Sequence, residues 1–122
     1  MTSDESRLRL ADYLSHMLEA VELARGYVSG ISKDDFVKDR RTQQAVVLNL
    51  ITIGEAASRI VNEHDVFATA HPEIPWAQLR GVRNRMAHGY FDIDLRIVWD
   101  TVQSSLPELE RQLKAAVSQT AS

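Results

Sequence analysis

At 122 residues, with 44% hydrophobic and 25% charged side chains, the chain has the make-up of one soluble globular domain with a modest core. It has no cysteine, which excludes a disulfide framework and a thiolate metal site and fits a reducing compartment. The formal net charge of -3 excludes a whole-molecule attraction to nucleic acid, so any RNA contact needs a local basic patch.

The opening MTSDESRLRL is charged and lacks the apolar centre of a signal peptide, and the longest apolar run, Ala45 to Leu48, is far too short to span a bilayer. A cytoplasmic location with no membrane contact is the expectation. A first helix is predicted from about Asp4 to Val28, with Ser3 as N-cap and Asp4 and Glu5 in its first turn. Leu8, Leu10, Ala11, Leu14, Leu18, Val21, Leu23 and Ala24 give it a broad apolar face, and Gly30 supplies the stop. Ser32 to Asp35 reads as a cap opening a short turn.

The next helix is predicted from about Asp39 to Glu63. Its apolar residues, from Ala45 to Val61, cover more than half its circumference, so it is central or faces both a core and a partner. Ala56 and Ala57 allow a neighbour to approach. His64 to Pro75 is a connector with a helical turn around Val66 to Ala70. Pro75-Trp76 opens a third main helix, striped by Leu79, Val82 and Met86 and ended by Gly89. Asp92 or Asp94 caps a last helix to about Val117, with Ile97, Val98, Val102, Leu106, Leu109 and Leu113 facing inward and Pro107 bending it. Strand signals are nearly absent. The predicted fold is an all-α, single-domain bundle of four to five helices over 1–122, with its core in about 4–117.

The chemistry concentrates in WAQLRGVRNRMAHGYFDIDLRIVW, Trp76 to Trp99. Arg80, Arg83 and Arg85 lie in a stretch from Ala77 to Phe91 that has no acidic residue, and Lys33, Lys38, Arg40 and Arg41 can add charge from elsewhere. Solvated helix-face charge is the competing account of these cations. His88 stands at a helix end, where unpaired carbonyls favour a cation, and an ordinary histidine titrates near pH ~6.5. Arg83 carries a planar charge that can grip a phosphate through two hydrogen bonds. An acid or base and a cation suit attack of a ribose 2′-hydroxyl on its phosphodiester, a reaction that needs no metal and selects RNA. Asn84 can bond the phosphate or orient His88. The competing account makes the arginine an ion-pairing residue and the histidine a helix cap.

On an ideal helix Arg83 and His88 lie about 140° apart and share no face. Either the helix unwinds at His88-Gly89, or the two residues meet across a two-fold interface. A homodimer is the preferred solution.

Arg83-Asn84-Arg85-Met86-Ala87-His88-Gly89-Tyr90 resembles the R-x4-H-x-Y motif of HepT-like toxins, within the HEPN superfamily of ribonucleases. Pro72 to Trp76, Gly81 to Asn84, His88 to Phe91, Ile97 to Trp99, Asp39 to Gln43 and Ile53 to Ala57 extend the likeness over roughly Asp39 to Leu109. The resemblance implies a metal-independent endoribonuclease with no cofactor, acting as a homodimer with Arg83 and His88 as the catalytic pair. Asn84 matches the polar residue that follows the arginine, and Arg80 and Arg85 stand as supporting RNA-binding residues. The family's partner is an MntA-type nucleotidyltransferase antitoxin that transfers AMP to the motif tyrosine, here Tyr90. Some superfamily members serve mainly as binding partners, so the alternative is a non-catalytic helical dimer that regulates a nucleotidyltransferase, or a plain oligomerisation domain.

His16, His64 and His71 lack metal-site spacing and read as surface or cap residues. Glu55 either orders Arg83 or forms a structural ion pair. Trp76 and Trp99 are expected in the core, with Tyr13 and Tyr27 as packing residues.

Overall fold

Capping side chains and prolines set the helix boundaries. A computed structural model of the chain describes residues 3–121, the side chains of residues 3, 90, 120 and 121 excepted. Its helices are α1 (Ser3–Tyr27), α2 (Lys33–Lys38), α3 (Arg40–Glu63), α4 (Asp65–Ala70), α5 (Trp76–His88), α6 (Leu95–Ser104) and α7 (Leu106–Ala121), with a 3-10 turn at Tyr90–Asp92. Five of them exceed two turns, and no strand occurs among the described residues, so the all-α bundle stands. Whether Ser3 caps α1 lies outside the described residues.

Ser32 caps α2 in a reciprocal box with Asp35, each side chain accepting from the other's backbone N–H. Asp39 caps α3 by accepting from the Thr42 N–H at 3.1 Å and the Thr42 hydroxyl at 2.6 Å, and these bonds hold its carboxyl below the usual range. Gly30, at φ 80, takes the left-handed conformation that turns the chain after α1.

α1 and α3 form the central pair. The buried positions of α1 are Leu10, Leu14, Met17, Val21, Ala24 and, just beyond it, Val28, spaced by fours and threes, with Ala20 buried beside Val21. Leu8 and Leu23 fall off that stripe and are exposed, which corrects their expected place on the inner face. Against α1 lies the face of α3 carrying Val46, Leu50, Ile53, Ala57 and Ile60, and Leu106, Leu109 and Leu113 of α7 close the core. The apolar girth of α3 therefore reflects a central helix, and Leu48 is left exposed on it.

The last predicted helix is two. Pro107 has no N–H to donate to the Gln103 carbonyl, and the chain breaks at Ser105 where a bend is expected. Asp94 caps α6 through the Arg96 N–H at 2.9 Å, which settles the choice between Asp92 and Asp94. Ile97 is 58% exposed because the buried row of α6 runs through Val98 and Val102. Pro75 sits at the cap position of α5. Trp76 anchors that start, its indole N–H donating to the carbonyls of Ala68 and His71, both at 3.1 Å. Trp99 packs against Phe36 at a ring separation of 5.6 Å, so both tryptophans support the core.

Candidate functional site

α5 is seated on α3 at Gly54. A glycine inside a helix costs about 1 kcal/mol relative to alanine. Here it is required, because a Cβ at this position would lie 2.7 Å from the Leu79 carbonyl oxygen and overlap the Arg83 Cβ. The sequence draws attention to Ala56 and Ala57 as the small residues, yet Gly54 makes the contact. Its signal in the sequence was the lone interior glycine itself.

That contact delivers Arg83 to Glu55. The Arg83 Nε donates to Glu55 Oε1, and its Nη1 donates to Asn84 Oδ1 at 3.1 Å. The side chains are 31% and 44% exposed, a setting in which an ion pair adds little stability, so its effect is to fix the guanidinium. Among the described residues, Glu55 and Asn84 are the side chains that bond the guanidinium. Of the two accounts of Glu55, the geometry contains both at once: an ion pair that orders Arg83.

His88 is the last residue of α5 and is exposed. The helix stays wound through it, closed by the Gly89 N–H donating to the Arg85 carbonyl at 2.9 Å. Unwinding at His88-Gly89, one of the two expected routes, therefore does not bring Arg83 and His88 together. Within one chain they stay on different sides of α5. His88 lines a cavity of about 480 Å³ with Asn84, Arg85, Met86, Asp92 and Ile97, and Arg83 does not. Asn84 connects the two sides, since it accepts from Arg83 and stands four residues before His88 on the same helix row. Arg80, half-buried, begins that row, while Arg85 also borders a second cavity of about 570 Å³ between α5 and α7.

Tyr90 begins the turn that follows Gly89, two residues beyond His88. Its side chain lies outside the described residues. Sequence reasoning treated Asp92 only as a cap and Ile97 only as core, yet both line the His88 cavity.

Two of the remaining histidines serve the frame, and His16 is exposed on α1. His64 caps the end of α3, with Nδ1 3.5 Å from the Ser6 hydroxyl. His71 has an acidic partner that its spacing did not suggest: Nδ1 lies 3.0 Å from Glu73 Oε1. Tyr13 donates to the Glu63 carboxylate, and Tyr27 is 44% exposed. Among the described residues no three His, Cys, Asp or Glu side chains gather in a way that holds a metal.

Residues 17–116, which include every residue of this site, match the family model described as Ribonuclease HepT-like. A protein of Thermococcus cleftensis named "Probable ribonuclease HepT" is 40% identical over 99 residues, covering 81% of this chain and 87% of the relative. A "Putative RNase" of Caldanaerobacter subterraneus is 40% identical over 102 residues, covering 84% and 88%. A third relative of that same description, from Methanocaldococcus jannaschii, is 28% identical over 117 residues, covering 96% and 91%. No solved structure matches the chain. With most of its length matched, and with its arginine, asparagine and histidine inside the match, the chain belongs to the ribonuclease HepT-like family.

Proposed function

We propose that the protein is a metal-independent endoribonuclease toxin of a type VII toxin–antitoxin pair, working as a homodimer. The observation that carries this reading is the chain of contacts from Glu55 through Arg83 to Asn84, on the row that ends in exposed His88. Membership of a ribonuclease family supplies the reaction class.

In this mechanism the ribose 2′-oxygen attacks the adjacent phosphorus and the 5′-oxygen leaves. The 2′-proton passes to a base, the leaving oxygen receives a proton, and the products are a 2′,3′-cyclic phosphate and a 5′-hydroxyl. One His88 imidazole takes the first proton and its two-fold mate gives the second. The Arg83 guanidinium holds the charge that builds on the phosphoryl oxygens. Asn84 and Glu55 keep it aimed, so little reorganisation accompanies the reaction. Arg80 and Arg85 hold neighbouring phosphates. The offset of Arg83 and His88 on α5 of one chain is what favours a dimer, since two copies can pool them in one cleft.

Regulation follows from position. A nucleotidyltransferase antitoxin of the MntA type transfers AMP from ATP to the Tyr90 hydroxyl, releasing pyrophosphate. The added phosphate places a negative charge two residues from His88, where RNA phosphate has to sit. The protein acts in the cytoplasm, where its RNA substrate and this partner reside.

Induced expression in a bacterial host tests the reading. Wild type is expected to arrest growth, Arg83→Ala and His88→Ala to leave it normal, and Tyr90→Phe to arrest growth even with the antitoxin present. Arrest by Arg83→Ala and His88→Ala equal to wild type would overturn it.

A further inference from the structure

The ring of Phe91, three residues past His88, is 99% exposed. A single exposed apolar residue is ordinary. This one borders a cavity of about 200 Å³ whose other walls are Arg40, Gln43 and Val47 of α3 and Ile93 and Leu95 after the 3-10 turn. The fold thus brings the basic start of α3 to the turn that leaves the candidate catalytic helix. The two segments are remote in sequence, and nothing in their spacing announces the meeting.

The cavity has an apolar floor and a cationic rim. Val47 is buried and Ile93 and Leu95 are half-buried, while Arg40, the cation of the rim, is exposed, as is its chain neighbour Arg41 outside the cavity. The Gln43 amide is held by donating to the Phe36 carbonyl at 2.9 Å. Asp39, the acidic residue within Lys38 to Arg41, is occupied in capping α3 through Thr42. Other cations are less available: Lys33 lies 3.2 Å from Asp100, and Arg83 is paired with Glu55. A flat ring beside a guanidinium is the combination that grips single-stranded nucleic acid, the ring stacking a base and the cation holding a phosphate. With a net charge of -3, such a local patch is where an RNA strand can be held at all.

We infer that Phe91 and Arg40 form an RNA subsite beside the candidate active site, Phe91 stacking an unpaired base and Arg40 holding a phosphate of the same strand. The subsite rests on the ribonuclease reading, since it takes the strand whose scissile phosphate lies at His88. Single-stranded RNA is favoured over a protein partner because the cavity is the size of one ring rather than of a helix face, and its rim is cationic.

The test separates binding from cleavage. A fluorescein-labelled, ten-nucleotide 2′-O-methyl oligoribonucleotide cannot undergo 2′-hydroxyl attack, so anisotropy reads its binding alone. Phe91→Ala is expected to weaken binding about five- to a hundredfold, and Phe91→Trp to retain it. Arg40→Gln is expected to flatten the slope of log affinity against log salt by about 0.7. Circular dichroism should show all three variants folded, as befits exposed positions. Affinity within twofold of wild type for both Phe91→Ala and Arg40→Gln overturns the subsite. So does a loss confined to self-association in sedimentation, which would make the patch a protein interface. Failure of the ribonuclease reading has a different appearance: wild type leaves unmodified RNA intact, while the binding losses at Phe91 and Arg40 persist.

Discussion

Glu55 of α3 accepts a hydrogen bond from the Nε of Arg83 on α5, so the cation proposed to meet the phosphate is aimed by a neighbouring helix. The ion pair itself contributes under about 1 kcal/mol where the carboxylate is 44% exposed. Its value lies in position, and a misplacement of about 1 Å at a reacting group costs on the order of a hundredfold in rate. Glu55→Gln is expected to lower kcat for RNA cleavage about ten- to a hundredfold, with little change in KM or Tm. Arg83→Lys should be as inactive as Arg83→Ala, because an ammonium cannot bond Glu55, Asn84 and a phosphate in one plane. A Glu55→Gln enzyme with wild-type kcat would reduce the pair to a surface contact.

Two glycines on facing helices should respond in opposite directions. Gly54→Ala forces a methyl into the Arg83 Cβ and the Leu79 carbonyl, so a loss of about 1–3 kcal/mol and a displaced α5 are expected. At Gly81 of α5 a Cβ meets nothing within 4 Å, and Gly81→Ala should stabilise the helix by about 0.4–1 kcal/mol. Thermal unfolding of both variants reads this directly. A Gly81→Ala variant that is more stable but loses self-association would place a partner chain over that face.

Mixing wild type with an inactive variant tests whether the site is shared. The proposed cleft uses both His88 imidazoles, so a mixed dimer of wild-type and His88→Ala chains lacks one of them, and an excess of His88→Ala is expected to silence the wild-type chains as subunits exchange. Activity that stays in proportion to the wild-type chains after verified subunit exchange would return the site to a single chain.

Acid should loosen the contact between α1 and α7. Glu110 of α7 accepts from Lys114 at 2.9 Å and from Arg25 of α1 at 2.8 Å, and these bonds, Lys114 first, hold its carboxyl below the ordinary value of 4.5. A carboxyl whose pKa is lowered by folding contributes stability above its unfolded pKa and loses it as pH falls through the folded one. Glu110→Gln should therefore melt below wild type at pH 7, and the gap should close progressively as the pH falls below the ordinary value of 4.5. A constant gap across that range would assign the difference to packing.

Most of the fold was legible because caps and breakers are local. Ser32, Asp39, Pro75, Gly89 and Asp94 mark helix ends within a residue or two of where they fall. Pro107 was read as a bend and is a break, since periodicity shows that a helix is interrupted but not how far the chain recovers. The linear cluster of Arg83, Asn84 and His88 was visible as a motif, and the family likeness gave it a reaction. What the chain could not announce was the third dimension. Gly54 meets Leu79 and Arg83, Arg40 and Phe91 border one cavity, and Ile97 comes to line the cavity of His88 only after α3, α5 and α6 are packed. Ile97 was misplaced for the same reason, because a helix with a strong apolar side does not show which edge of that side borders a cavity.

The most direct measurement uses one purified RNA, the same RNA with a 2′-deoxy substitution at its cleavage position, wild type and His88→Ala. Wild type should cut only the unmodified strand and leave a 2′,3′-cyclic phosphate and a 5′-hydroxyl, while His88→Ala leaves both strands whole. Equal cutting by His88→Ala, or cutting at the 2′-deoxy position, would contradict the role given to the Arg83 and His88 pair.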